Sequence, residues 1–425
     1  MEWWNSIEKG KMKKRAGLER YRKDFPSLAR KIGGKPLIYF DGAAGSQVPT
    51  QVIDAMATYY RRSNANSGGA FVTSVETDEV REDARATVAE FLGAGSGKSI
   101  SFGANMTTLN FSLSKAIGRA LRKGDEILIT QLDHEANRGP WLTLQEQGIV
   151  VNEVRMKPDA TLDYDDLRQK ISKRTRLVAV GLASNAFGTV SDIGRVREWT
   201  RSAGAWLLVD AVHYAPHFLI DVASLDVDFL LCSGYKFYGP HVGILYSREG
   251  LLDELQTNRL RTQDAKAPTR IETGTPNFAA IAGVKAAVEY IASIGNGKAL
   301  RTKLSSAYQF IHEHEFGLAQ EMYDGLREIR GVKVYGPSFD STMRAPTVSF
   351  TVEGLNAREV SHRLGKKGIC TWDGHFYALR AIEVLGLAGT GGVTRVGPLL
   401  YSTTDEVHRF LKEVKHVAEG VNLRR

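Results

Sequence analysis

Between residues 98 and 247 short apolar runs alternate with helix-length amphipathic stretches, and this rhythm constrains the fold more than any other feature. The strand candidates are "EILIT" (126–130), "RLVAVGLA" (176–183), "AWLLVD" (205–210), "DFLLCS" (228–233) and "VGILYS" (242–247), with helical patterns such as 107–122 and 192–203 between them. Runs that are apolar at nearly every position suit strands buried on both faces. Such strands, alternating with helices, predict an α/β fold with a mostly parallel central sheet. Long helices follow at 277–294 and 300–329. From about residue 332 the texture changes, and "VKVYG", "PTVSFTV", a helix near 356–367, "GICTW", "VTRVGP" and a last helix near 404–419 predict a smaller α+β domain. The expected division is a basic N-terminal segment (1–36) joining the small domain, a large domain (37–298) and a small C-terminal domain (299–425).

Charge narrows the partners. The chain carries +8, but residues 1–31 hold +6 of it, leaving +2 for the other 394. A nucleic-acid enzyme needs a basic face across its folded body, so none is expected here. The arm, with Trp3 and Trp4, reads as a solvated basic segment. No apolar run reaches the ~18–20 residues of a membrane span, and the N-terminus lacks a secretory h-region. Cys232 and Cys370 are too few for a disulfide framework or zinc cluster. The expectation is a cytoplasmic protein without a metal.

The loudest motif, "LGAGSGKS" (92–99), imitates a phosphate-binding loop. That loop needs glycine at the position held by Leu92, and it must follow a strand and open a helix. Here a helix pattern (about 76–92) precedes and the strand-like "SISF" follows, so a helix-to-strand turn is predicted.

A better anion site is "SFGANMTTLNFSL" (101–113), a short strand running into a helix that begins around Asn105. Free N–H groups and the helix dipole favour an anion there. Asp210 ends an apolar strand, where a carboxylate is costly without a partner. Asn185 follows another strand, and Lys236 follows a third. In open α/β sheets the ligand crevice lies beyond such strand ends. An anion nest, a strand-end carboxylate, an amide and a strand-end lysine together match the needs of pyridoxal 5'-phosphate. Its phosphate takes the helix terminus, its pyridinium nitrogen the carboxylate, and its aldehyde the lysine as a Schiff base.

From "YFDGAAGSQVP" (39–49) to the C-terminus the sequence resembles the class V aminotransferases, and among them the group II cysteine desulfurases. The resemblance implies a type I pyridoxal-phosphate fold. "SGYKFYGP" is similar to the family's S-G-H-K-x-Y-G-P, which makes Lys236 the Schiff-base position and Ser233 a phosphate ligand, with Tyr235 replacing a histidine. "GDEILITQLDHEAN" puts His134 where an imidazole stacks on the pyridine ring. "SNAFGT" puts Asn185 beside the phenolic oxygen. "VDAVHYAPH" gives Asp210 the pyridinium role and sets His213 in place of the family's glutamine at that oxygen. The four-residue spacing of His213 and His217 imitates a zinc pair, but Pro216 breaks the helix such a pair needs.

By register Asn105 and Met106 occupy the family's Thr-Thr phosphate site. "ETGTPN" (272–277) resembles the segment whose threonine, here Thr275, reaches the partner subunit's phosphate, which implies a homodimer. "TRVGPLLYSTTDEV" (394–407) makes Arg395 the substrate-carboxylate arginine, a fork that selects amino acids.

The resemblance breaks at "ICTWDGHFYA" (369–378). Where the desulfurases carry R-x-G-H-H-C, Trp372 stands at the arginine and Tyr377 at the nucleophilic cysteine. Cys370 lies seven residues upstream of Tyr377. The expected function is therefore Cα/Cβ chemistry on a small L-amino acid without a protein persulfide, with Tyr377 or His375 as an acid or base above the ring. Transamination, β-elimination, racemisation and β-decarboxylation with carbon–carbon bond formation remain open. So do desulfuration through a displaced cysteine such as Cys370 and a non-catalytic, cofactor-binding role.

Overall fold

The computed structural model describes residues 18–340 and 343–422. The first part of the basic arm, with Trp3 and Trp4, lies outside the described residues. Seven strands form the central sheet: β1 (Ile100–Gly103), β2 (Glu126–Thr130), β3 (Val150–Val154), β4 (Thr175–Gly181), β5 (Trp206–Asp210), β6 (Phe229–Ser233) and β7 (Gly243–Ser247). Their order is β1-β7-β6-β5-β4-β2-β3. β7 runs antiparallel to both neighbours and every other pair is parallel, so the sheet is mostly parallel as the apolar runs predict. β2, β5 and β6 match their expected runs to within a residue. β3 was not legible, because Asn152 and Glu153 interrupt "VVNEV" and only Val154 of the five is buried.

Helices α1 (Thr50–Arg62), α2 (Val72–Leu92), α3 (Met106–Ala120), α4 (Ile193–Ser202) and α5 (Phe278–Ile294) belong to this part of the chain. α2 ends at Gly93, which is left-handed at φ 70°. The N–H of Ala94 bonds the carbonyl of Ala89 and that of Gly93 the carbonyl of Glu90, the double bond pattern that closes a helix on glycine. A short turn, Gly97–Ser99, then leads into β1. The phosphate-loop imitation is thus a helix terminus.

α6 (Leu300–Arg327) leads to a second, antiparallel sheet, β8 (Val332–Tyr335), β9 (Val348–Val352), β10 (Trp372–Gly374) and β11 (Val393–Val396), ordered β8-β9-β11-β10. α7 (Ala357–Lys366) and α8 (Thr404–Asn422) cover it. The two parts share α6: Leu304, Tyr308 and Ile311 sit in the large core, and Leu318, Met322 and Leu326 in the small one. Chain entry is likewise shared. Phe25 packs into the large core against Tyr238, Tyr290 and Tyr401. Ile38 and Phe40 belong to the small core, with Ile38–Tyr39 pairing in parallel with Ile369–Cys370. Among the described residues no helix is long and apolar enough to cross a membrane, and no three metal-ligating side chains converge.

Candidate active site

The C-terminal ends of the parallel strands carry the polar residues, as the strand-end rule requires. They enclose about 640 Å³ of empty space, its open mouth included. Nine predicted residues line it: Asn105 and Met106 beyond β1, His134 beyond β2, Asn185 beyond β4, Asp210 and His213 at and beyond β5, and Ser233, Tyr235 and Lys236 at and beyond β6. The helix start at Asn105 fits against β7 only because residue 243 is glycine: a Cβ there would lie 2.3 Å from the Asn105 carbonyl carbon. Asn105 caps α3, its Oδ1 accepting from the Thr108 N–H at 2.9 Å, and Met106 and Thr107 of the first turn face the cavity.

Lys236 is buried, and its Nζ donates to the Ala43 carbonyl at 2.5 Å. Burial, and next the charge of Arg395, push its pKa down to about 7, against the pull of Asp41 and Asp210. A sizeable fraction of the amine is therefore uncharged near neutral pH. Asp210 accepts one hydrogen bond, from the Val212 N–H at 2.9 Å, and has no ion-pair partner among the described residues. Burial raises its pKa to about 6 although the Val212 N–H and Lys236 resist. A buried carboxylate and a buried amine on one cavity wall each lack, among the described residues, an ion-pair partner that a ligand would supply.

His134 accepts the Ala136 N–H at Nδ1 (3.0 Å), which leaves its proton on Nε2. Burial, with Lys236 and Arg395, lowers its pKa to about 4, so the ring is neutral. His213 bonds the Thr347 hydroxyl through Nε2 at 2.8 Å, while its Nδ1 is buried without a hydrogen-bond partner. Tyr235 stacks on His241 with ring centroids 4.7 Å apart and planes within 6°.

Arg395, buried on β11, is not among the residues of the cavity wall but bonds one of them. Its Nη1 donates to the Asn185 carbonyl (2.9 Å), its Nη2 pairs with Asp41 (3.3 Å), and its Nε is buried without a partner. The Asn185 amide donates to the Phe376 carbonyl at 2.8 Å, which ties the 375–378 turn to the site. Tyr377 and His375 stand outside the wall. Tyr377 is 67 % exposed and stacks on His134 at 5.4 Å, and the Tyr377 N–H donates to His375 Nδ1 at 3.1 Å. Thr275 is exposed on the surface, also off the wall, on a segment whose first residue, Glu272, forms a two-pronged ion pair with buried Arg85 at 2.8 Å for each prong. Neither cysteine lines the cavity; burial raises both thiol pKa values.

Sequence reasoning missed Asp41, Asp133 and Thr347. Asp133 accepts the Gly181 N–H at 2.6 Å, and burial raises its pKa to about 7. An acid directly before His134 at a strand end was the available signal. Nothing local marks Asp41 or Thr347, because their partners lie 354 and 134 residues away.

The sequence profile of the aminotransferase class-V family matches residues 38–410. The chain belongs to that family. As a class-V aminotransferase family member it is a pyridoxal-phosphate-dependent enzyme with a type I fold. It is 32% identical over 416 residues to a cysteine desulfurase of Serratia proteamaculans (strain 568), covering 94% of this chain and 98% of that one. It is also 32% identical to a probable cysteine desulfurase of Halalkalibacterium halodurans, covering 94% and 97%. Among solved structures, the apo cysteine desulfurase of Thermococcus onnurineus NA1 superimposes with a TM-score of 0.84 at 30% identity, covering 95% of this chain and 98% of that one. The wall fits the cofactor's donor and acceptor needs: the unpartnered His213 Nδ1, Asp210 without an ion pair and the Lys236 amine, lowered to about 7, are the groups it would satisfy.

Proposed function

We propose that this class-V enzyme acts on a small L-amino acid at Cα and Cβ without forming a persulfide on its own chain. The observation that carries the reading is the pairing of an intact Lys236–Asp210 wall with a cysteine-free turn at 375–378. Bound pyridoxal phosphate supplies an electron sink for charge developing at the substrate Cα. Lys236 would hold the cofactor through Nζ, and its amine would take the Cα proton; a pKa near neutrality suits both tasks. Asp210 would keep the ring nitrogen protonated, His134 would stack on the ring, and Asn185 and His213 would serve its phenolic oxygen. Asn105, the Met106 N–H, Ser233 and Tyr235 would hold the phosphate. Arg395 forks onto the substrate carboxylate. Its two Nη groups are held by Asn185 and Asp41, and its Nε is the N–H without a partner. The active unit is a homodimer in which Thr275 reaches the partner's phosphate, a reading its exposure and the anchored Glu272 support. A cytoplasmic setting suits the two free thiols.

The test is the absorption spectrum of the purified protein against a panel of L-amino acids. A visible band that one amino acid shifts, with no protein-bound sulfur after turnover with L-cysteine, supports the reading. Cysteine-dependent persulfide on the protein sinks it. Desulfuration through a displaced thiol is the second reading, favoured by the names of the relatives; it requires sulfide release to collapse in Cys370→Ser.

A further inference from the structure

Behind the cavity wall a line of buried polar side chains runs into the core. His213, on the wall, meets His217 edge to face, with ring centroids 5.3 Å apart and planes at 76°. His217 Nδ1 in turn lies 2.7 Å from Glu315 Oε2 on α6. All three are almost wholly buried: His213 3%, His217 1% and Glu315 1% exposed. We propose that Glu315 and His217 form an uncharged, hydrogen-bonded pair whose role is to hold His213 as a neutral N–H donor toward the cofactor's ring oxygen. They are positioning residues acting through His213, and the inference rests on the reading of His213 given above.

Burial is the first cause. Two charges in a pocket closed to water cost more than the same pair left neutral with its proton on oxygen. Burial raises the Glu315 carboxyl far above the usual carboxylate range and lowers His217 to about 3, so both stay uncharged. The protonated carboxyl donates to His217 Nδ1, which fixes the proton of that imidazole on Nε2, an atom with no hydrogen-bond partner among the described residues. Thr347 completes the arrangement from β9's approach. Its hydroxyl has only His213 Nε2 as a partner among the described residues; in the proposed arrangement it donates there and the His213 proton sits on Nδ1. That is the buried nitrogen without a partner on a residue of the cavity wall. Other groups facing the line hold it neutral. The charge of Lys236 opposes protonation of His217, and those of Lys236 and Arg395 oppose protonation of His213. Tyr238, Tyr308 and Tyr401 flank Glu315, and His312 lies near His217.

The test is the pH titration of the visible band of the holoenzyme, read as a midpoint rather than as turnover. A fixed donor stabilises negative charge on the ring oxygen and so lowers the pH at which the lysine-bound nitrogen loses its proton. Glu315→Leu removes the donor to His217 and raises the midpoint by roughly half to one pH unit, the worth of one hydrogen bond. Glu315→Gln keeps an N–H donor to Nδ1 and restores the wild-type midpoint. An unmoved midpoint in Glu315→Leu overturns the proposal, and so does a Gln variant that shifts as far as Leu, which would mean an ionised carboxylate. Infrared spectroscopy of the wild-type holoenzyme keeps the question open to refutation if the Leu variant does not fold. A protonated-carboxyl stretch at neutral pH that vanishes in Glu315→Gln supports the neutral pair, and no such stretch overturns it. Absence of any visible band in the wild type would instead overturn the cofactor reading itself.

Discussion

Phe376 lies over the guanidinium of Arg395, 4.1 Å from its ring centroid to Cζ. The ring keeps water from one face of a buried cation already held by Asn185 and Asp41. It is set there by a turn in which Phe376 and Tyr377 both adopt positive φ, 52° and 59°, an arrangement that side chains resist unless their surroundings fix it. Phe376→Ala is expected to weaken amino-acid binding roughly fivefold, the equivalent of a cation–π contact of about 1 kcal/mol, with a smaller change in kcat. Spectral titration with the amino acid that shifts the visible band measures it, and an unchanged Kd would remove Phe376 from the substrate site.

Lys236 is the covalent anchor in the proposed scheme. Lys236→Ala is expected to lose the visible band of the lysine-bound cofactor and to release the cofactor on dialysis far faster than wild type. Retention of that band would show that another amine carries it.

The legible part of this molecule is the part in which function and local pattern coincide. β5 and β6 were readable because parallel strands buried on both faces leave apolar runs, and Asp210 and Lys236 because polar residues interrupt such runs only at a cost. What backs the wall was not readable. Thr347, Phe376 and Asp41 meet their partners His213, Asn185 and Arg395 only once the chain folds, and no periodicity records a contact over more than a hundred residues. The resemblance alone suggested Tyr377 as an acid or base above the ring. Its side chain stacks on His134, and its carbonyl accepts from the Glu135 N–H at 2.7 Å, contacts no local pattern records.

Asp210, Asp133 and Lys236 make opposing contributions to the pH dependence of apoprotein stability. Asp210 and Asp133 are raised to about 6 and about 7, so the native state binds more protons than the unfolded one between pH ~4 and ~7, and their contribution is lost as pH rises through that window. Lys236 is lowered to about 7, so its contribution is full above the unfolded value near 10.4 and is lost as pH falls toward 7. Thermal unfolding of the apoprotein, wild type against variant, isolates each contribution from those of the buried histidines and Glu315. The stability of wild type relative to Asp210→Asn should fall between pH ~4 and ~6, and that relative to Lys236→Met should rise between pH ~7 and ~10; a difference that does not vary with pH would contradict this.

Tyr377 separates a positioning ring from a catalytic hydroxyl. Its side chain is 67 % exposed, its hydroxyl lies off the cavity wall, and its ring stacks on His134 with planes 27° apart. Tyr377→Phe preserves that stack and is expected to keep kcat/KM within about twofold, because an exposed hydroxyl with no buried partner contributes little. Tyr377→Ala uncovers His134 and is expected to lower kcat/KM by roughly three- to tenfold, the equivalent of an aromatic pair of about 1 kcal/mol. A Phe variant as impaired as the Ala variant would return the hydroxyl to the chemistry as an acid or base. In that case the pH–rate profile should lose one limb in Tyr377→Phe and keep it in His375→Gln.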